Sequence, residues 1–177
     1  MISNSSPLII FGKLNEFEIL KKVFNKIEIT KSVYEEVVER GMKSNKSESF
    51  IIKDWIEKGF VSVQSLSASG QEKSIFLRET YVSLDEGESD TIALAIQKNQ
   101  KNLLIDEKAA RKVAEIYRLF PIGSLGVLLL AYKKKILNEQ ELKKIVSTLI
   151  LGDFRISADI LNEFWNLFQR MRKEKKK

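Results

Sequence analysis

The sequence contains no cysteine and no histidine. The missing cysteines exclude disulfides, thiolate zinc sites and thiol nucleophiles, and the missing histidines exclude every mechanism that uses an imidazole base. Any chemistry must therefore use carboxylates, lysine, tyrosine, hydroxyl groups or a metal ion held by oxygen atoms. Oxygen ligands favour hard cations, so Mg²⁺ or Mn²⁺ is the expected metal.

Long apolar stretches are also missing. The longest apolar run, Leu125 to Tyr132, is much shorter than the roughly 20 residues that a membrane helix needs. The start of the chain, Met1 to Asn4, lacks the basic segment, apolar core and cleavage site of a secretory signal. We therefore expect a cytoplasmic protein that does not enter a membrane. A length of 177 residues suits one domain.

Basic residues exceed acidic residues, giving a net charge of +6, but the excess is concentrated at one end. Residues 170–177 hold six basic residues and one acidic residue, so residues 1–169 are close to neutral. We expect a single domain over 1–169 and a basic tail over 170–177. The tail is typical of a solvated helix end, and binding to the phosphates of a nucleic acid is the alternative.

Short apolar runs alternate with amphipathic segments along the chain. Strands are predicted at Ile2-Ser3, 27–30, 60–63, 103–105 and 120–122, with helical spacing of apolar residues between them. Such alternation predicts a three-layer α/β/α sandwich around a mostly parallel sheet of short strands. Residues 65–70 resemble a linker most closely.

Polar residues at the start of the chain favour a turn from strand to helix. Pro7 is predicted at the first helical position, with Ser6 as the N-cap. Asn4 is then an ordinary turn or capping residue.

The segment from Leu84 to Ala114 concentrates acidic residues at two predicted helix starts. Asp85 and Glu88 have the spacing of a capping box. Asp90 lies beyond the first turn, where the helix dipole favours negative charge less. Asp106 follows a predicted strand and is either a helix cap or a ligand at the carboxyl end of that strand. Neither Asp90 nor Asp106 establishes a ligand site by itself.

Taken together, five motifs give a more specific pattern: ISNSSPLI, SVYEEVVERG, LDEGESDTIALA, LLIDEKAARKVA and IGSLGVLLLA. Their order and spacing resemble the PIN-domain nucleases, especially the small bacterial and archaeal branch related to VapC-type toxins. The resemblance extends to about Ile156. It implies a PIN-like fold and a ribonuclease that depends on Mg²⁺ or Mn²⁺, functions as the toxin of a toxin-antitoxin pair, and forms a homodimer.

The resemblance also implies a set of site residues. In the family, four acidic positions hold one or two cations, and here they fall on Asn4, Glu36, Asp90 and Asp106. Glu35 fits the second position less well than Glu36, which precedes an apolar residue. Supporting hydroxyls fall on Ser6 and Ser124, and the side chains that face the scissile phosphate are Arg111 and Lys112.

Asn4 departs from the family pattern, in which an aspartate is normal at the first position. An amide oxygen is neutral, so the site should hold its cation more weakly. The alternative function is therefore a weakened or inactive relative that binds nucleic acid or an antitoxin. Glu88 or Glu107 could replace the lost charge, although Glu88 is expected to face another side of the helix than Asp90.

Overall fold

The computed structural model describes residues 1–152, 154 and 156–174. Five strands form one sheet in the order β3-β2-β1-β4-β5, and every neighbouring pair is parallel. The strands are β1 Ile2–Ser3, β2 Ile27–Thr30, β3 Val61–Gln64, β4 Asn102–Leu104 and β5 Phe120–Ile122. The predicted strands are therefore present: three have the predicted ends, and β3 and β4 are each shifted by one residue.

Helices connect the strands and cover both faces of the sheet. They are α1 Ser5–Lys13, α2 Phe17–Val23, α3 Lys31–Tyr34, α4 Gly41–Lys43, α5 Ser47–Glu57, α6 Ala68–Thr80, α7 Glu86–Gln97, α8 Lys108–Ile116, α9 Ser124–Lys133, α10 Glu139–Leu151 and α11 Ala158–Glu174. Between α3 and α4 the chain forms a π-helical turn, Glu35–Arg40. The helical segment from α3 through α4 is thus widened in its middle, a distortion that is frequent at functional sites.

Two apolar cores lie on opposite faces of the sheet. Leu104 and the β2 residues Ile27 and Ile29 belong to the core formed with α1, α2, α5, α9, α10 and α11. Leu103 and Ile105 belong to the other core, formed with α6, α7 and α8. Neighbouring strand residues enter opposite cores because side chains alternate along a strand. The structure is a three-layer α/β/α sandwich, as predicted.

One predicted helix start and the expected linker are wrong. Helix α1 begins at Ser5 with Asn4 at the N-cap, so Pro7 is the third helical residue and Ser6 is not the cap. Asn4 is held in an extended conformation because its backbone N–H bonds to Leu104 O at 2.9 Å. The expected linker at 65–70 also fails, since α6 starts at Ala68, where the Ser67 side chain accepts a hydrogen bond from Gly70 N.

The end of the chain is helical as far as the structure describes it. Helix α11 continues to Glu174, so most of the predicted basic tail belongs to that helix, and residues 175–177 lie outside the described residues. Arg172 forms an ion pair with Glu139 at the start of α10. Within the described part of the chain, no helix has the length and apolar character to cross a membrane.

Candidate active site

The carboxyl ends of the strands bring the predicted site residues to one edge of the sheet. Asn4 follows β1, Asp106 lies just beyond β4, and Glu36 lies in the π-helical turn after β2 and α3. The N-terminus of α7 reaches the same edge, because Gly87 lies beside Asn4 and Glu36. This is the edge at which open α/β sheets bind their ligands.

Asn4 is buried, with 3% of its surface exposed. Its Nδ2 lies 3.4 Å from Glu107 Oε2, to which it donates a hydrogen bond. Its Oδ1 is buried and has no hydrogen-bond partner among the described residues. A buried amide oxygen without a partner has lost its hydration, so a bound water molecule or an ion is expected to contact it.

Gly87 lies close to that oxygen and to two carboxylates. A Cβ atom at Gly87 would lie 3.3 Å from Asn4 Oδ1, 3.5 Å from Asp85 Oδ1 and 3.5 Å from Glu36 Oε2. Three oxygen atoms from three different segments of the chain therefore surround the position that a side chain would fill.

Serine hydroxyls hold two of the glutamates at this edge. Ser5 Oγ donates to Glu36 Oε2 at 2.6 Å, and Ser6 Oγ donates to Glu107 Oε1. Ser6 was predicted as a supporting hydroxyl and reaches Glu107, whereas Ser5 was not singled out. The adjacent serines thus restrict the orientation of two carboxylates next to Asn4.

Asp106 is bound to the start of α9. Its Oδ1 accepts from Ser124 N at 2.7 Å and its Oδ2 accepts from Ser124 Oγ at 2.6 Å. Burial raises the pKa of the Asp106 carboxyl, and these hydrogen bonds oppose the shift. Arg111 reaches the same place, since a Cβ at Gly123 would meet Asp106 Oδ1 at 3.0 Å and Arg111 Nη1 at 3.3 Å. Lys112 is exposed on α8.

Asp90 lies near the carboxyl ends of β2 and β3. Its Oδ2 accepts from Ser32 Oγ at 2.6 Å and its Oδ1 accepts from Ser74 Oγ at 2.5 Å. It lines a cavity of about 400 Å³ that also borders Thr30, Gln64 and Arg78. Of the four predicted ligands, Asn4 and Glu36 are brought together near Gly87. Asp106 directly precedes Glu107, which contacts Asn4. Asp90 lines the cavity.

Glu88 is buried on α7 near the other acidic residues. It forms the predicted capping box with Asp85, donating its backbone N–H to Asp85 Oδ1 and accepting from Asp85 N. The pKa of Glu88 is raised to about 7, mainly by burial. The hydrogen bond from the Asp85 backbone lowers this pKa, and the negative charges of Asp85, Glu107 and Glu36 raise it. As expected, Glu88 and Asp90 point in different directions, but it is Glu88 that lies near Glu36 and Glu107.

Comparison with protein families identifies the fold. A family model described as a PIN domain matches residues 1–170. The chain belongs to the PIN-domain family. No curated protein matches it. PIN domains are generally nucleases that use divalent cations, so this PIN domain has a nuclease-like fold.

The oxygen atoms at the edge of this PIN domain suit a hard cation. Among the described residues, no three Asp or Glu side chains are close enough to hold a metal ion by themselves. The space beside Gly87 is different, because a neutral amide oxygen completes a set of two carboxylates there. Mg²⁺ and Mn²⁺ accept such carboxylate and amide oxygens. The unpartnered Oδ1 of Asn4 therefore fits the metal that the family implies.

Three residues of this edge were not selected from the sequence: Ser5, Asp85 and Gly87. Asp85 was fully explained as a helix cap, and its position near Asn4 and Glu36 depends on tertiary packing. A glycine between two glutamates near a helix start was the available signal, because glycine often marks a close approach to a ligand.

Proposed function

We propose that this PIN domain is a divalent-metal-dependent endoribonuclease. The ligands that the family resemblance supplies are Asn4, Glu36, Asp90 and Asp106, and the metal is Mg²⁺ or Mn²⁺. The observation that carries the proposal is the buried Oδ1 of Asn4, which has no hydrogen-bond partner among the described residues and lies beside carboxylates at the carboxyl edge of the sheet.

The chain's own residues have distinct roles in this proposal. A bound cation would supply an acidified water and neutralise charge on the phosphate. Ser5 and Ser124 orient carboxylates through hydrogen bonds of 2.6 Å. Arg111 and Lys112 provide positive charge for the RNA backbone, since α8 begins beside Asp106. No histidine is needed for this chemistry.

Cleavage of labelled RNA in Mg²⁺ or Mn²⁺ tests the proposal. We expect the wild type to cleave, EDTA to stop cleavage, and Asp106→Asn to reduce the rate roughly 100-fold, the usual effect of removing one preorganised charge. Asp54→Asn is the matched control, because Asp54 is exposed on α5 and pairs with Lys58. Equal cleavage by the wild type and Asp106→Asn would indicate a contaminating nuclease and refute the proposal.

Asn4 favours a second candidate function, a PIN domain that binds nucleic acid or an antitoxin without cutting. The amide at this position removes one negative charge, and its Nδ2 is already used by Glu107. This alternative predicts RNA binding that weakens with salt but survives Asp106→Asn, with no metal-dependent cleavage by either protein.

The toxin role, the small antitoxin partner and the homodimer are finer parts of the same proposal. Expression of a toxin would arrest growth, and Asp106→Asn would relieve the arrest. Co-expression with a short neighbouring gene would do the same and give a stable complex. Light scattering on the purified protein reports the dimer.

A further inference from the structure

We propose that α6 and α8 form a second RNA contact, outside the acidic edge, on which an unpaired base stacks. This surface, the aromatic platform, consists of Lys73 and Phe76 on α6 and Tyr117 directly after α8. The inference rests on the proposed function for RNA as the substrate. It adds that the RNA is single-stranded where it meets the platform.

Lys73 joins the two aromatic rings of the platform. Its Nζ lies 5.1 Å from the centre of the Phe76 ring and 5.2 Å from the centre of the Tyr117 ring. Tyr117 packs against the core, whereas 50% of the Phe76 surface is exposed. Lys73 forms no ion pair with any carboxylate among the described residues. Its charge is therefore available to a phosphate, and Phe76 presents aromatic surface to solvent beside it.

Helix α8 brings further positive charge to the platform. Residues 108–118 include four basic residues and one acidic residue. Lys108, Lys112 and Arg118 are exposed and form no ion pair within the part of the chain that the structure describes. The lysines of α5, by contrast, pair with carboxylates one turn away. Lys108 and Lys112 are four positions apart, so they lie on the same side of α8 and form a basic stripe.

The basic stripe connects the acidic edge with the platform. Asp106 lies two residues before α8, and Tyr117 lies one residue after it. The helix between them rises about 14 Å, which corresponds to about four nucleotides at 3.4 Å each. A strand with one phosphate at the acidic edge can thus follow α8 and place a base on Phe76 about four nucleotides away.

Single-stranded RNA matches this surface better than an apolar protein partner does. An apolar partner would have to cover the ammonium group between the two rings and the basic stripe beside them, at a cost in desolvation. Aromatic rings that stack on bases and basic side chains that bind phosphates are the combination with which proteins hold single strands. The bases of a duplex are already stacked on one another, so the platform selects unpaired RNA.

Binding of a fluorescent oligo(A) RNA tests the platform. The RNA is roughly 12 nucleotides long, within the usual site sizes for single strands, and anisotropy is measured in EDTA to prevent cleavage. We expect Phe76→Ala to weaken binding about fivefold or more, the lower end of the effect of removing one stacking ring. Phe76→Trp should keep the affinity of the wild type.

Phe50→Ala is the matched control and should bind RNA as the wild type does. Phe50 is also 50% exposed, but it lies on α5, which packs on the other face of the sheet. Melting temperatures check that each variant folds.

The basic stripe is tested by the double variant Lys108→Gln with Lys112→Gln. Each phosphate contact adds about 0.7 to the slope of log affinity against log salt, so the slope should fall by up to about 1.4. An unchanged slope would show that the strand does not follow α8 and would overturn the proposed path.

The other outcomes separate this inference from the proposed function. Wild-type affinity in Phe76→Ala would overturn the platform. Wild-type affinity in Phe76→Leu would overturn it too, because leucine is apolar but cannot stack, and a protein partner would then be favoured. A blunt RNA duplex should bind Phe76→Ala and the wild type equally, and weaker duplex binding by the variant would contradict stacking on unpaired bases. These results leave the proposed function intact, since metal-dependent cleavage and Asp106→Asn decide it.

Discussion

At the scale of single residues, Asn4 and Glu88 have opposite electrostatic roles. Asn4 lowers the negative charge at the site, while Glu88 is buried among carboxylates and holds its proton to higher pH than a solvated glutamate does. Both reduce repulsion between acidic groups when no cation is bound. The charge of the site therefore depends on pH near neutrality, because Glu88 ionises there.

Glu88→Gln should change how stability depends on pH. The pKa of Glu88 is about 7 in the folded protein and lower when unfolded, so the folded state holds a proton that the unfolded state has lost between these values. Stability of the wild type therefore falls as pH rises through 7. We expect Glu88→Gln to melt at a higher temperature than the wild type at pH 8, and at a similar temperature at pH 4.

Glu86→Gln is the control for this measurement, because Glu86 is exposed on the same helix. Saturating Mn²⁺ should reduce the difference between wild type and Glu88→Gln, since a cation favours the ionised carboxylate. A difference that is the same at both pH values would mean that Glu88 is not protonated in the fold near neutrality.

At the scale of elements, the end of β4 and the start of α9 are joined by one side chain. Asp106 accepts the backbone N–H and the hydroxyl of Ser124, so it holds the first turn of α9 against the sheet. The same contact fixes the carboxylate that the family resemblance assigns to the metal. Structural and functional explanations of Asp106 are therefore compatible.

Ser124→Ala should destabilise the protein most at high pH. The variant keeps the backbone N–H but loses the hydroxyl donor, and a hydrogen bond to an ionised group contributes about 1.5–3 kcal/mol. Burial already raises the pKa of Asp106, and removal of the hydroxyl raises it further. Stability should thus fall more steeply with rising pH than in the wild type, measured by urea unfolding at pH 4 and pH 8.

Ser124→Thr keeps a hydroxyl and should behave as the wild type in the same unfolding experiment. If Ser124→Ala loses the same free energy at both pH values, Asp106 keeps a single charge state between pH 4 and pH 8, and the expected pH dependence is wrong.

At the scale of the whole molecule, negative and positive charge are separated along the chain. Carboxylates meet at the carboxyl edge of the sheet, whereas the net positive charge is concentrated in the last eight residues, of which α11 includes Arg170 to Glu174. A polyanion that reaches the acidic edge needs cations to offset repulsion, and basic side chains elsewhere can hold it by its phosphates.

Removal of Lys175, Lys176 and Lys177 should weaken RNA binding without altering the fold. For single-stranded RNA each phosphate contact adds about 0.7 to the slope of log affinity against log salt, so the slope should fall by up to about 2. The control is the double variant Lys43→Gln with Lys46→Gln, which removes two exposed lysines from another part of the chain. Its salt slope should stay steeper than the slope of the truncated chain. An unchanged slope after truncation would show that the tail makes no phosphate contacts.

Local sequence patterns determined the elements of this protein. Alternating apolar residues predicted the strand at 27–30, and side-chain spacing predicted the capping box at Asp85. These features depend on neighbours only a few positions apart, so they can be read from the chain. The alternation of these elements predicted the parallel three-layer fold, and the family resemblance then supplied Glu36 and Asn4 as neighbours at one edge.

Tertiary structure alone decided how the acidic residues are arranged. The segment LDEGESD does not reveal which acid faces Asn4, because that depends on how α7 is rotated when Leu94 and Ile92 pack into the core. The orientation of the Asn4 amide depends on Glu107, 103 positions away along the chain. The sequence therefore determined which residue types reach the edge of the sheet, and packing between distant segments decided which oxygen atoms lie beside Gly87.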